Sequence, residues 1–277
     1  MECDMERINL DERVEWSIEV RDAGSGAMLF DRTPDVVLRT ASIGKLFLLM
    51  EIMHQVRDGE LDLHEVIDRT RMSPECRCED SGLLYLLEQD TFSVRDLGFL
   101  VGAFSDNYAT NLLIERAGLD RVQSFAVAQG FERSALLDYV RMVRPANGIG
   151  DMSCGCASEL CDYMMRLQAG SLVSSEASAQ IERWLGADTD TSMAAGAFNV
   201  DPLAHWEESE PFRLRHKTGT ESDVRCDVGF VRCMPTGRAV AYAILANWDK
   251  TRYGDLRDAV LADMRAIGDA MRRHLER

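Results

Sequence analysis

At 277 residues, 46% hydrophobic and 28% charged, the chain has the composition of a globular protein and the length of one large domain or two fused lobes. A formal net charge of −16 argues against nucleic acid, whose binding needs Lys and Arg to neutralise phosphates, and disfavours anionic membranes. No apolar run nears the roughly 20 residues a bilayer crossing needs, and the polar start has no secretory-signal pattern, so a cytoplasmic location without a membrane partner is expected.

Residues 16–20 alternate, 22–26 read as a turn and 27–30 resume an apolar run, which predicts a β-hairpin. From Thr40 the residues Ile43, Leu46, Phe47, Leu48, Leu49, Met50, Ile52 and Met53 are apolar on nearly every face, which predicts a central buried helix. Helical spacing follows at 107–117, 119–128, 157–168 and 176–185. Strand-like composition returns at 212–216, 227–233 and 239–247, with a turn at 234–237, before an amphipathic helix over about 256–275. Strands, helices, strands, helix is the order expected when both chain ends build one sheet around an inserted helical segment.

Of 31 basic residues only Lys45, Lys217 and Lys250 are lysines, and only lysine, not arginine, loses its proton when buried. Ser42-Ile43-Gly44-Lys45 places a hydroxyl and an amine one helical turn apart, an arrangement that can activate Oγ without histidine; alone it also fits a helix cap followed by a surface lysine. Ser105-Asp106-Asn107 opens a helix after the apolar stretch 99–104, and Lys217-Thr218-Gly219 ends the strand at 212–216. Alone, these read as a helix N-cap and a strand-to-turn exit.

Together and in this order, the three motifs resemble the Ser-x-x-Lys, Ser-Asp-Asn, Lys-Thr-Gly set of class A β-lactamases and penicillin-binding proteins, over nearly the whole chain. The resemblance implies an α/β, β-lactamase-like fold. An antiparallel sheet made by both chain ends and flanked by helices (14–46 with 205–277) would face an inserted all-helical lobe (47–204) across a cleft. It implies Ser42 as the acylated nucleophile, Lys45 as its base or proton relay and Ser105 as the proton shuttle to the leaving nitrogen. Asn107 would bind the substrate amide and the lysine, and Lys217 and Thr218 would hold the substrate carboxylate from the edge strand, with Gly219 beside them in the substrate-binding set. The N–H groups of Ser42 and Thr220 would form the oxyanion hole. Arg225 is similar in placement to the arginine that clamps that carboxylate, although a strand-end arginine in solvent fits it as well.

Two departures stand out. Leu137-Asp138 and Gly150-Asp151 resemble the ends of the family's Ω-shaped loop, and that alignment puts Arg141 where the family carries the glutamate that activates water. Between Arg133 and Ser158 the only carboxylates are Asp138 and Asp151, so acylation is expected to outlast deacylation. Gly44 replaces a bulkier residue, and is expected to open space beside Ser42 for an unusual substrate.

No cofactor or metal is called for. The eight cysteines (3, 76, 78, 154, 156, 161, 226 and 233) lack zinc-site spacing, and His54, His64, His205, His216 and His274 form no zinc-binding pattern. Cys154, Cys156 and Cys226 are expected near the cleft rim as small buried residues. The function expected is a serine hydrolase that forms an acyl-enzyme at Ser42 with β-lactams or related amides or esters bearing a carboxylate. A cytoplasmic acyltransferase or tailoring hydrolase of a biosynthetic or resistance pathway, and a non-catalytic β-lactam or ligand binder, are the alternatives.

Overall fold

The computed structural model describes residues 8–74, 77–143, 150–204 and 210–277. β1 (Val14–Asp22) and β2 (Met28–Arg32) form the opening hairpin, and β3 (Leu38–Arg39) leads through a 3-10 turn, Ala41–Gly44, into α1 (Lys45–Arg57). A small pair, β4 (Val66–Asp68) with β5 (Thr91–Ser93), precedes α2 (Val94–Phe104), α3 (Asn107–Ala117) and α4 (Leu119–Ala128). Then come β6 (Ala135–Leu136), β7 (Ser153–Gly155), α5 (Ala157–Gln168) and α6 (Ser175–Leu185). The chain closes with β8 (Phe212–Glu221), β9 (Val224–Cys233), β10 (Ala239–Trp248), α7 (Lys250–Tyr253) and α8 (Arg257–Glu276).

The main sheet runs β2-β1-β10-β9-β8, and its strands pair antiparallel. β1 and β10 pair from Val14 opposite Trp248 to Asp22 opposite Val240, so the two ends of the chain meet inside one sheet. Alternation along β1 sorts its side chains between the two faces. Trp16, Ile18 and Val20 join the core under α8, whose Val260, Met264, Ile267, Met271 and Leu275 recur every three or four residues on one helical stripe. The opposite face, carrying Val228, Phe230, Ala241, Ala243 and Leu245, packs into the larger core with α1 and α5. α1 is buried from Lys45 to Met53, as its all-round apolarity predicts.

One strand runs further than its composition predicts. β8 continues through Lys217-Thr218-Gly219 to Glu221 instead of turning after His216, because β9 starts at Val224 and pairs with it to the end of the hairpin. Gly219 is not a turn residue. A Cβ there would overlap the carbonyl oxygen of Thr40 and approach Ser42 N, so glycine lets the edge strand lie against the turn that carries Ser42.

Among the described residues no helix is long and apolar enough to cross a membrane, and no group of three or more His, Cys, Asp or Glu could hold a metal ion. Cys78, Cys156, Cys161, Cys226 and Cys233 are buried and Cys154 is half-buried; Cys3, Cys76 and His205 lie outside the described residues. Burial pushes the thiols of Cys154, Cys161 and Cys226 up, which keeps them protonated and poor nucleophiles.

Candidate active site

Ser42 sits in the Ala41–Gly44 turn, half-exposed at a cleft of about 250 Å³ that Ser105, Asp188, Asp190, Thr218 and Thr220 also line. The residue before it, Ala41, is left-handed at φ 48°, a strained setting for a residue with a Cβ. Side-chain bonds hold the turn in place: Thr40 Oγ1 and Ser153 Oγ are 2.7 Å apart, and Ser153 Oγ also donates to the Ala41 carbonyl.

Gly44 does not open room for a substrate, contrary to the sequence expectation. Its missing side chain is replaced by Ser153, whose Cβ a Cβ at residue 44 would overlap, and by Leu136, 3.2 Å away. Gly44→Ala is therefore expected to destabilise the fold by up to about 2 kcal/mol. Overpacking of about 1–3 kcal/mol outweighs the roughly 1 kcal/mol gained in helix propensity. Urea unfolding measures this, and an unchanged midpoint would mean that the turn shifts freely.

Lys45 and Lys217 are both fully buried, whereas Lys250 is exposed. The Lys45 Nζ donates to the Ser105 carbonyl at 2.6 Å, to Ser105 Oγ at 3.1 Å and to Asn107 Oδ1 at 2.7 Å. Lys45, one turn from Ser42, is thereby bonded to both Ser105 and Asn107 of the second motif. Burial pushes the Lys45 amine well below the ordinary lysine range, and Lys217 adds to the shift, against the pull of Asp106 and Asp80.

The second motif is a hinge of two helices. Ser105 ends α2 in a left-handed conformation, φ 52°, and Asp106 caps α3. The Asp106 carboxylate is fully buried and accepts from Ala109 N at 2.8 Å and from Leu83 N and Leu84 N at 2.7 Å each. Gly82, at φ +105°, lets that loop close over it, since a Cβ there would overlap Asp106. Asn107 is held from the same loop: its N donates to the Ser81 carbonyl at 3.1 Å and its Nδ2 to Asp80 Oδ1 at 2.9 Å. The plain-cap reading of this tripeptide thus holds for Asp106, while Ser105 and Asn107 both bond to Lys45.

On the edge strand, Lys217 Nζ donates to the Thr218 carbonyl at 2.9 Å and lies 3.9 Å from Asp188 Oδ2, which also accepts from Thr218 N at 3.3 Å. Beneath it, Asp227 takes the His216 ring nitrogen and Tyr242 OH, both at 3.0 Å, and Ala195 N at 3.1 Å. This buried cluster ties the chain after Asp190 to the sheet. Arg225 pairs with Thr220 across the hairpin, and its Nη1 donates to the carbonyls of Glu221 and Val224 at 2.5 and 2.7 Å.

The loop at 137–152 is closed at its ends, where Leu137 N donates to the Met152 carbonyl at 2.8 Å. Arg141 binds Asp138 through Nε and Nη2 at 2.8 and 3.1 Å. Asn111, one turn beyond Asn107 on α3, clasps the backbone of the preceding residue: Val140 N and O each lie 2.8 Å from its side chain. Residues 144–149 lie outside the described residues.

Sequence reasoning missed Asp80, Asp188 and Asp190. Asp188-Thr189-Asp190 has no apolar period and reads as loop; only the packing of this loop on β8 brings it to Ser42. A larger groove of about 810 Å³, apolar and walled by Phe92, Phe99 and Leu203, adjoins the cleft through Ala103, Phe104 and Thr189. None of the three motifs lies in it.

A family model described as the beta-lactamase enzyme family matches residues 4–274. Among solved structures, a β-lactamase from Sphaerobacter thermophilus DSM 20745 is 24% identical, with 95% of this chain and 92% of that one covered and a TM-score of 0.79. PBP-A is 19% identical with a TM-score of 0.78 over 98% and 94% of the two chains. A point mutant of PBP-A, in an acyl-enzyme complex with penicillin G, is 19% identical with a TM-score of 0.76 over 96% and 92%. No curated protein matches the chain.

Proposed function

The chain belongs to the beta-lactamase enzyme family, and we propose that it is a serine hydrolase of the class A type that forms an acyl-enzyme at Ser42 with β-lactams or related amides and esters and releases the acyl group slowly. The observation that carries this reading is the buried Lys45 amine, bonded to Ser105 and Asn107 one turn from Ser42.

In the first step Ser42 Oγ attacks the carbonyl carbon of the substrate and its proton passes to Lys45 in its free-amine form, which burial favours. The oxyanion that develops would face the N–H groups of Ser42 and Thr220, and the close approach of Gly219 to Ser42 N supports this reading. The C–N bond then breaks, and the leaving nitrogen takes a proton through Ser105 Oγ, 3.1 Å from Lys45 Nζ. Asn107 Nδ2, on Asp80, stands beside this path and would orient the substrate amide.

Hydrolysis of the ester at Ser42 needs a water and a base, and the carboxylates beside Lys45 and in the 137–152 loop are otherwise engaged, while Asp188 and Asp190 lie at the Thr218 end of the cleft. Asp106 accepts three backbone N–H groups, Asp138 is paired with Arg141, and Asp80 bonds Asn107. Arg141, in the place the loop alignment gives to the glutamate, supplies no proton acceptor. Loss of a general base slows the step it serves by about 10²- to 10⁴-fold.

Intact-protein mass spectrometry after mixing with benzylpenicillin and a chromogenic cephalosporin, with Ser42→Ala in parallel, tests the proposal. A Ser42-dependent mass gain lasting minutes is expected. No mass gain with these probes or with the methyl ester of benzylpenicillin, the cephalosporin being left intact, would overturn acylation; rapid loss of the adduct with steady consumption of cephalosporin would overturn slow release.

A further inference from the structure

The Thr218 end of the cleft already contains an anion. Asp190 lines the cleft together with Ser42, Ser105 and Thr218. Its Oδ1 is fixed by Ser192, whose N and Oγ donate at 3.2 and 2.6 Å, so the carboxylate is held in place instead of swinging into solvent. Although burial opposes it, these bonds, the Thr218 hydroxyl and nearby His216 hold Asp190 below the ordinary carboxylate range, ionised at neutral pH.

The positive charges at this end face carboxylates of the protein itself. Lys217 lies 3.9 Å from Asp188, and Asp190 and Asp227 also act on it. Arg225 feels Asp190 and Asp255, and its Nη1 is turned onto hairpin carbonyls. A carboxylate arriving from solvent at Thr218 would meet Asp190, and both of these cations are already shared with the protein's own acceptors.

We infer that Asp190 occupies the place of a substrate carboxylate at Thr218, so that this site acylates fastest with substrates whose group there is uncharged or cationic. The inference rests on the acylation of Ser42 proposed above and names the class of substrate. It revises the sequence expectation that Lys217, Thr218 and Arg225 hold a substrate carboxylate.

Three probes that differ only at this group test it: benzylpenicillin, its methyl ester, and an ester bearing a tertiary amine. The rate of Ser42 adduct formation is followed by mass spectrometry for the wild type, Asp190→Asn and Asp190→Ser. Urea unfolding of each variant checks that it is folded, and the wild-type ratios need no variant. The wild type is expected to take both esters at least about tenfold faster than the acid, the usual order for one like-charge clash. Asp190→Asn should speed the acid and bring the methyl ester to acid ratio close to one, with Asp190→Ser the same. An acid-first preference in the wild type, or ratios that neither variant moves, overturns this inference and leaves acylation standing. Failure of all three probes to modify Ser42 in any of the proteins overturns acylation, and the inference with it.

Discussion

Lys45→Arg is expected to slow acylation of Ser42 by about 10²- to 10⁴-fold at neutral pH, the usual contribution of a positioned base. Arginine keeps the donors but stays protonated in proteins, so it separates proton acceptance from hydrogen bonding. The sign of the pH dependence follows from the burial that lowers the Lys45 pKa. The base works as the free amine, so acylation is present above the folded pKa and lost as pH falls through it. For the wild type, the rise in acylation rate with pH should lie well below the ordinary lysine value of about 10.4. Lys45→Arg should lack that rise. Stopped-flow or quenched mass spectrometry from about pH 5 to about pH 10 measures both, a range chosen around ordinary side-chain titrations. A rise near the ordinary lysine value would mean that Lys45 is charged at neutral pH and that another group takes the proton from Ser42.

The contrast between Lys45 and Asp190 shows what the sequence carries. Helix ends are legible where the cap is written next to the helix: α3 begins after Asp106 and α4 after Gly118, at the positions their spacing predicts. The scarcity of lysine flags Lys45 and Lys217, and both are buried in the site while Lys250 is exposed. β8 reads short, because Lys-Thr-Gly has the composition of a turn and only pairing with β9 makes it a strand. β3, β6 and β7, at two or three residues each, are too short for a period of two to register. Gly44 misleads because a missing side chain shows no neighbour in the sequence, and here the neighbour, Ser153, lies far along the chain on β7. Asp188 and Asp190 escape notice for the same reason. Their importance comes from the sheet edge beneath them, through Asp227 and the Ala195 N–H, and no local pattern encodes that contact.

Asp106→Ala is expected to lower folding stability by about 3–7 kcal/mol, because three backbone N–H groups lose a buried carboxylate acceptor. Loss of the α3 cap accounts for about 1 kcal/mol, and the two N–H groups of Leu83 and Leu84 are left without their acceptor, at about 1–3 kcal/mol each where water does not reach them. Asp106→Asn keeps one acceptor oxygen and should fall between. Both losses show as lower urea midpoints. The charge has a second effect that a purely structural role does not predict. Asp106 favours the protonated form of Lys45, so its removal lowers the Lys45 pKa further and leaves more free amine at a given pH. In Asp106→Asn, folded and assayed below its unfolding midpoint, the pH rise of Ser42 acylation should therefore move to lower pH even as stability falls. If stability falls and the rise stays where it is, Asp106 serves the cap and the loop at 81–84 alone, and the tuning of Lys45 belongs to burial and Lys217.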